Sequence, residues 1–254
     1  MTAPILPGAE PFSTTGDGRG ALVLHGFTGN PQSMRGLALA LADAGLTVEL
    51  PLLPGHGTEV ADMLPTRWAG WAAAAEAAYV ELASRCDAVV VVGLSMGGSL
   101  SVLLAERHPE IAALALVNPL ITPPDADTLG FIAALIEGGD ELAPGVGSDI
   151  AQEGVVESAY AELPLRAAQS LFAGVAEVEA GLVSVTCPVL LFSSVNDHVV
   201  PPVSGDRLAA GVSGPVERIV LERSFHVATL DYDKDEIEAR TVEFVAGVLA
   251  TSGA

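Results

Sequence analysis

Short apolar runs rich in β-branched residues recur along the chain at 21–24, 46–52, 88–92, 113–117, 189–193 and 216–221, each bounded by turn-forming residues. Nearly continuous hydrophobicity over so few residues is the pattern of a strand covered on both faces, and so of a parallel sheet between helical layers. Between the runs the apolar period changes to three and four. Met34, Leu37, Leu41 and Ala44 mark one face of a helix over 31–44, which Gly45 should end. An Ala-rich helix is expected over 68–83, another over 96–107 ahead of Pro109, and a last one over 234–249. Alternation of strand and helix predicts a doubly wound, mostly parallel α/β fold.

One segment breaks the rhythm. From 122 to about 182 no strand is expected, only helical fragments separated by Pro123, Pro124, Gly138, Gly139, Pro144, Gly145 and Gly147. That is too long for a plain connection inside a compact domain. The expectation is a small inserted helical cap, 122–182, over the C-terminal edge of a sheet built from 1–121 and 183–254, where open α/β sheets bind ligands.

The run "VVGLSMGGSL", 91–100, carries the clearest chemistry. Gly93, Ser95 and Gly97 form G-x-S-x-G between an expected strand and an expected helix, the setting of a nucleophile elbow. In so sharp a turn the serine holds a strained backbone and its neighbours must be small. The following helix aims free N–H groups and its positive end at any negative charge forming on an attacked carbonyl. The oxyanion donors expected are the backbone N–H groups of Met96, after the nucleophile, and Phe27, in the "HGFTG" turn after the first strand.

A serine hydroxyl also needs a base, and the chain offers His25, His56, His108, His198 and His226. His226, in "RSFHVATLDYD" just after the last expected strand, fits the order Ser, acid, His. His25 is expected to orient the oxyanion turn and His108 to be a solvated helix cap. The acid should follow the penultimate strand, where "CPVLLFSSVND" places Asp197. Asp231 and Asp233 follow the base and are disfavoured by chain order. In the expected mechanism His226 takes the Ser95 proton as Oγ attacks an ester carbonyl, and Asp197 orients and stabilises the imidazole.

Charge and composition narrow the partners. A net charge of −21 over 254 residues argues against nucleic acid and anionic membrane surfaces, and favours a neutral or weakly charged substrate. Mean hydropathy is high, +0.47, yet Gly, Pro and charges interrupt every apolar run before it reaches the roughly 20 residues needed to cross a bilayer. Residues 1–16 lack a basic, apolar leader, so a cytoplasmic location is expected. Cys86 and Cys187 stand far apart with no metal-ligand spacing, and there is neither a GxxxxGK loop nor a dinucleotide fingerprint. No cofactor and no metal are expected.

The motifs "LVLHGFTGNPQSMRGLA", "LPGHGTEVADM", "GLSMGGSL", "NDHVVPP" and "SFHVATLDYD", taken in this order, resemble those of the small bacterial monoacylglycerol lipases and carboxylesterases of the α/β-hydrolase superfamily. The resemblance implies the α/β-hydrolase fold, a short cap over a narrow acyl tunnel, no cofactor, and hydrolysis of monoacylglycerols or short-to-medium esters. It places nucleophile, acid and base on Ser95, Asp197 and His226, and through "GSDIAQEGVVESAY" it places a glycerol-holding glutamate on Glu157. The rest of the cap matches only loosely. Its Leu129, Phe131, Ile132, Leu135 and Ile136 are open to three readings: tunnel mouth, transient membrane contact, or packing on the domain below. A broad carboxylesterase or thioesterase shares the same acyl-serine chemistry, and a non-catalytic binder shares the fold. Epoxide hydrolase and dehalogenase chemistry would require an aspartate where Ser95 stands.

Overall fold

The computed structural model describes residues 3–251. Seven strands form one sheet: β1 (Phe12–Thr14), β2 (Arg19–Leu24), β3 (Thr47–Leu50), β4 (Ala88–Leu94), β5 (Ala113–Val117), β8 (Val189–Ser194) and β9 (Val216–Leu221). Their spatial order is β1-β3-β2-β4-β5-β8-β9, parallel except for β1, which runs antiparallel to β3 with Phe12 opposite Leu50. The short, polar edge strand β1 has no apolar run and escaped the pattern. The other edge, β9, is also not covered on both faces: Glu217, Arg218 and Val220 are exposed.

Alternate residues of the central strands feed two cores, as the two-residue strand period requires. On one face Leu22, Leu24, Val91, Leu114, Leu116 and Leu191 pack under α3 (Trp68–Ala83), α4 (Met96–Arg107) and α6 (Leu165–Gly181). On the other face Val23, Val90, Val92, Ala115, Val117 and Phe192 pack under α1 (Arg35–Asp43) and α8 (Lys234–Thr251). The helix expected over 31–44 is a 3-10 turn, Pro31–Met34, capped by the Asn30 side chain, followed by α1. Gly45 ends it at φ +94°, a conformation that favours glycine.

The segment 122–182 differs from expectation. It contains α5 (Ala126–Gly138), two short paired strands β6 (Leu142–Pro144) and β7 (Glu162–Pro164), and α6. Two residue pairs flanking the central contact suffice for this ladder, so no apolar run announces it. α6 lies in the layer of α3 and α4: Leu171, Val175 and Val178 are buried in the main core, and a Cβ at Gly174 would stand 2.3 Å from the Trp68 ring. Within α5, Ile132 and Ile136 turn inward onto Leu165, whereas Phe131 is 65% exposed.

Because β3 lies on one side of β2 and β4 on the other, the chain reverses direction across the sheet between them. In open α/β sheets that switch point, at the C-terminal ends of β2 and β4, is the place of the ligand crevice. The turns 25–30 and 94–96 both leave the sheet there.

Candidate active site

Ser95 sits between β4 and α4 with φ 55° and ψ −117°, a backbone region costly for a residue with a side chain. The glycines around it are required by close approach. A Cβ at Gly97 would stand 2.1 Å from the Leu24 carbonyl oxygen, and one at Gly93 would stand 2.3 Å from the Gly97 oxygen. The turn is held from below by Ser95 N–H donating to Val117 O (3.1 Å) and Leu120 N–H donating to Ser95 O (3.2 Å). The hydroxyl therefore emerges at the N-terminus of α4, where the helix dipole favours negative charge.

The "HGFTG" turn passes directly beside it. A Cβ at Gly26 would be 3.5 Å from Ser95 Cβ. The Phe27 ring packs edge-on against Trp71, with centroids 5.4 Å apart, and Thr28 adopts φ 62°. Met96 is fully buried as the first residue of α4. Behind the turn, His25 receives the Leu53 N–H on Nε2 (3.1 Å), so its Nδ1–H donates to Gly26 O (3.0 Å). Complete burial lowers its pKa to about 4 and keeps the ring neutral.

After β9, His226 Nδ1–H donates to Asp197 Oδ2 at 2.8 Å, and both side chains are nearly inaccessible. The other Asp197 oxygen accepts the N–H groups of Val199 (2.8 Å) and Val200 (2.7 Å), which fixes the carboxylate against the ring. Among the described residues the Ser95 hydroxyl has no hydrogen-bond partner; links of this kind often close only around a substrate. Glu157 is half-buried and overhangs the turn 25–30, its Oε1 2.6 Å from where a Gly29 Cβ would be. Burial raises its pKa to about 6, against the opposing pull of His226 and a hydrogen bond with Ser33. Of the remaining histidines, His56 is buried edge-on to His25, His108 is half-buried between Glu76 and Glu110, and His198 is largely exposed beside Asp149.

Three polar residues to which the sequence assigns no site role, buried Asn118 and Asp231 and part-buried Asp149, hold these loops from behind. Asn118, at φ 43° after β5, donates through Nδ2 to His226 O (2.8 Å) and accepts the Ser194 N–H (2.8 Å). Asp231, set aside as the acid, accepts N–H groups from Phe225 (2.9 Å), Tyr232 (2.8 Å), Ala151 (2.7 Å) and Gln152 (2.9 Å). Asp149 accepts from His198 and His226. In sequence, an Asn before Pro119 or an Asp in a Gly- and Ser-rich stretch reads as a turn former, and only the fold shows what it holds.

A serine elbow after β4 and a carboxylate-bound histidine after β9, both following the C-terminal ends of parallel strands, fit serine-hydrolase chemistry on a doubly wound sheet. Residues 21–240 match the alpha/beta hydrolase family model, and the chain belongs to that family. It is 44% identical over 247 residues to a thermostable monoacylglycerol lipase of Bacillus sp., covering 96% of each chain. It is 24% identical to a carboxylesterase of Bacillus subtilis, covering 93% of this chain and 96% of the relative. A solved structure from a study of LipS and LipT, two metagenome-derived lipolytic enzymes, superposes with a TM-score of 0.92 at 43% identity, covering 96% of this chain and all of that one.

Proposed function

We propose that this carboxylic ester hydrolase cleaves monoacylglycerols to fatty acid and glycerol, with Ser95 as nucleophile, His226 as general base and acid, and Asp197 as the group that orients the imidazole. The observations that carry the reading are the Asp197–His226 hydrogen bond and the strained backbone of Ser95 at the switch point. His226 Nε2 takes the Ser95 proton while Oγ attacks the ester carbonyl, and the proton then passes to the departing glycerol oxygen. Water, deprotonated by the same ring, releases the fatty acid from Ser95. Charge on the tetrahedral oxygen is met by the backbone N–H groups of Met96 and Phe27.

The substrate class rests on two supports: the 44% identical relative named as a monoacylglycerol lipase, and the position of Glu157. Its carboxylate overhangs Gly29 within electrostatic reach of His226, where the hydroxyls of a small leaving alcohol would lie. We read 122–164 as the cap over this crevice, with α6 contributing to the helical layer below. Among the described residues no helix is long and apolar enough to cross a membrane, and both cysteines are free thiols, which fits the cytoplasm.

The test has two parts. A fluorophosphonate probe should label Ser95 in the folded protein and leave Ser95→Ala unlabelled; labelling of Ser95→Ala would refute the nucleophile. kcat/KM on 1-monolauroylglycerol should exceed that on methyl laurate, and Glu157→Ala should narrow the gap. Equal use of both esters would leave a general carboxylesterase.

A further inference from the structure

We propose that Asp149 is a positioning residue that locks the acid-bearing and base-bearing loops together from the cap side, so that the segment 148–160 fixes the alignment of the triad. The inference rests on the triad reading above. Asp149 Oδ2 accepts the backbone N–H of His226 (3.0 Å) and that of His198 (3.1 Å), the residue after Asp197. Its Oδ1 accepts the His198 ring Nδ1 (2.8 Å), and its carbonyl accepts the Val227 N–H (3.1 Å). One carboxylate thus bridges the loops after β8 and β9, at His226 itself and at His198, the neighbour of Asp197.

The geometry around it shows why this bridge bears on catalysis. The His226 backbone is held at both ends: Asp149 receives its N–H and Asn118 donates to its carbonyl. Asn118 belongs to the sheet, whereas Asp149 belongs to the segment expected to cap it. The same segment is tied down further along. Ala151 and Gln152 donate to Asp231, which also receives Phe225 N–H, and Tyr160 N–H donates to Thr28 O (3.1 Å) in the oxyanion turn. The His198 ring, held by Asp149, lies edge-on to Phe225 at 4.5 Å, adding a contact between the two loops. Asp149 is also only 11% exposed, so its hydrogen bonds are little diluted by water.

Without Asp149, the His226 N–H and the His198 N–H lose a shared acceptor, and the ring of His226 is free to drift from the line between Asp197 and Ser95. Misplacement of a catalytic group by about 1 Å costs up to roughly a hundredfold in rate. The step affected is chemistry, so kcat should fall while KM changes little.

The experiment compares full-length wild type, Asp149→Ala, Asp149→Asn, His198→Ala and Ser95→Ala on p-nitrophenyl butyrate, with thermal unfolding recorded for each. Asp149→Ala is expected to lower kcat between roughly tenfold and a hundredfold with KM within about threefold, and to slow fluorophosphonate labelling of Ser95 in parallel. Asp149→Asn, which keeps one carbonyl acceptor, should recover part of the loss, and His198→Ala, which removes only the ring contact, should lose less than Asp149→Ala. Should Asp149→Ala not fold, Asp149→Asn carries the same kcat-against-KM comparison. A folded Asp149 variant with wild-type kcat and labelling rate, beside an inactive Ser95→Ala, overturns the positioning role alone. Turnover retained in Ser95→Ala overturns the triad reading itself.

Discussion

His226 Nδ1 lies 2.8 Å from Asp197 Oδ2, in a pair of side chains almost closed to solvent, and the second Asp197 oxygen is occupied by two backbone N–H groups. A carboxylate so held can only accept, and it therefore fixes the histidine tautomer with Nε2 as the free base. Asp197→Asn puts an N–H donor within reach of Nδ1 and favours the wrong tautomer. We expect kcat to fall by roughly a thousandfold to ten-thousandfold with the fold intact. Steady-state kinetics with circular dichroism checks this, and a loss below tenfold would assign the acid elsewhere.

Gly97 is the glycine of the elbow with the least room, because the end of β2 lies across its face. A methyl group there meets the Leu24 oxygen at 2.1 Å and the His25 oxygen at 2.8 Å, both backbone atoms that cannot swing aside. Gly97→Ala should destabilise the protein by about 1–3 kcal/mol, the range of overpacked sites, and displace the oxyanion turn from α4. By contrast, Gly70→Ala, at a helix position where a Cβ meets nothing within 4 Å, should raise the unfolding midpoint slightly. Denaturant unfolding of both variants reads the contrast.

The difference between these two glycines also marks what the sequence discloses. Strands β2, β4, β5 and β8 are legible because each is buried on both faces, so that hydrophobicity alone traces them, and G-x-S-x-G is legible because it joins a strand to a helix. The edge strands are less so: β1 is three residues of mixed polarity, and β9 exposes Glu217 and Arg218. The pair β6 and β7 is held by backbone pairing across the intervening residues 145–161, with no apolar stripe to announce them. α6 looks like cap from its place in the chain, and only its tertiary contacts, Leu171, Val175 and Val178 in the main core and Gly174 against Trp68, put it in the layer beneath. Asp149 and Asn118 act through backbone partners far away in sequence, and spacing holds no trace of such contacts.

Glu157 supplies a prediction with a pH axis. Burial lifts its pKa to about 6, so the carboxyl is neutral below that pH and ionised above it. If it holds the glycerol hydroxyls as an acceptor, preference for 1-monolauroylglycerol over methyl laurate should rise as pH passes upward through about 6. Glu157→Gln should remove that rise. The ratio of the two kcat/KM values from pH 5 to 8 cancels the titration of groups common to both reactions, and a flat wild-type ratio would take Glu157 out of head-group binding. The stability effect has the opposite sign to that of a salt-bridged acid. A raised folded pKa favours the protonated form, so Glu157 costs stability as pH climbs from the unfolded value towards 6.

His25 and His56 give the protein an acid sensitivity of the contrary sign. The rings stack edge-to-face at 4.9 Å, both wholly buried, with Phe27 and Trp71 packed edge-on against His56. Burial holds His25 at about 4, and burial together with the neighbouring His25 holds His56 well below its ordinary value. On unfolding, each ring regains a pKa near 6.5 and takes up a proton. The unfolded chain therefore binds more protons between about pH 6.5 and 4, and stability must fall as pH drops through that window. For His25 alone the loss between pH 7 and 5 is on the order of 2 kcal/mol. Glu106, raised to about 7 by burial, and Glu157 act in the opposite sense over the same interval, so the wild-type slope by itself mixes the effects. The difference between wild type and His25→Asn isolates the ring. The variant should be less stable at pH 7 for want of the Leu53 and Gly26 hydrogen bonds, and its deficit should shrink towards pH 5 as wild type loses the histidine contribution. Urea midpoints at the two pH values measure this; a deficit that stays constant would mean that His25 is protonated in the folded protein, and that the oxyanion turn tolerates a charge behind it.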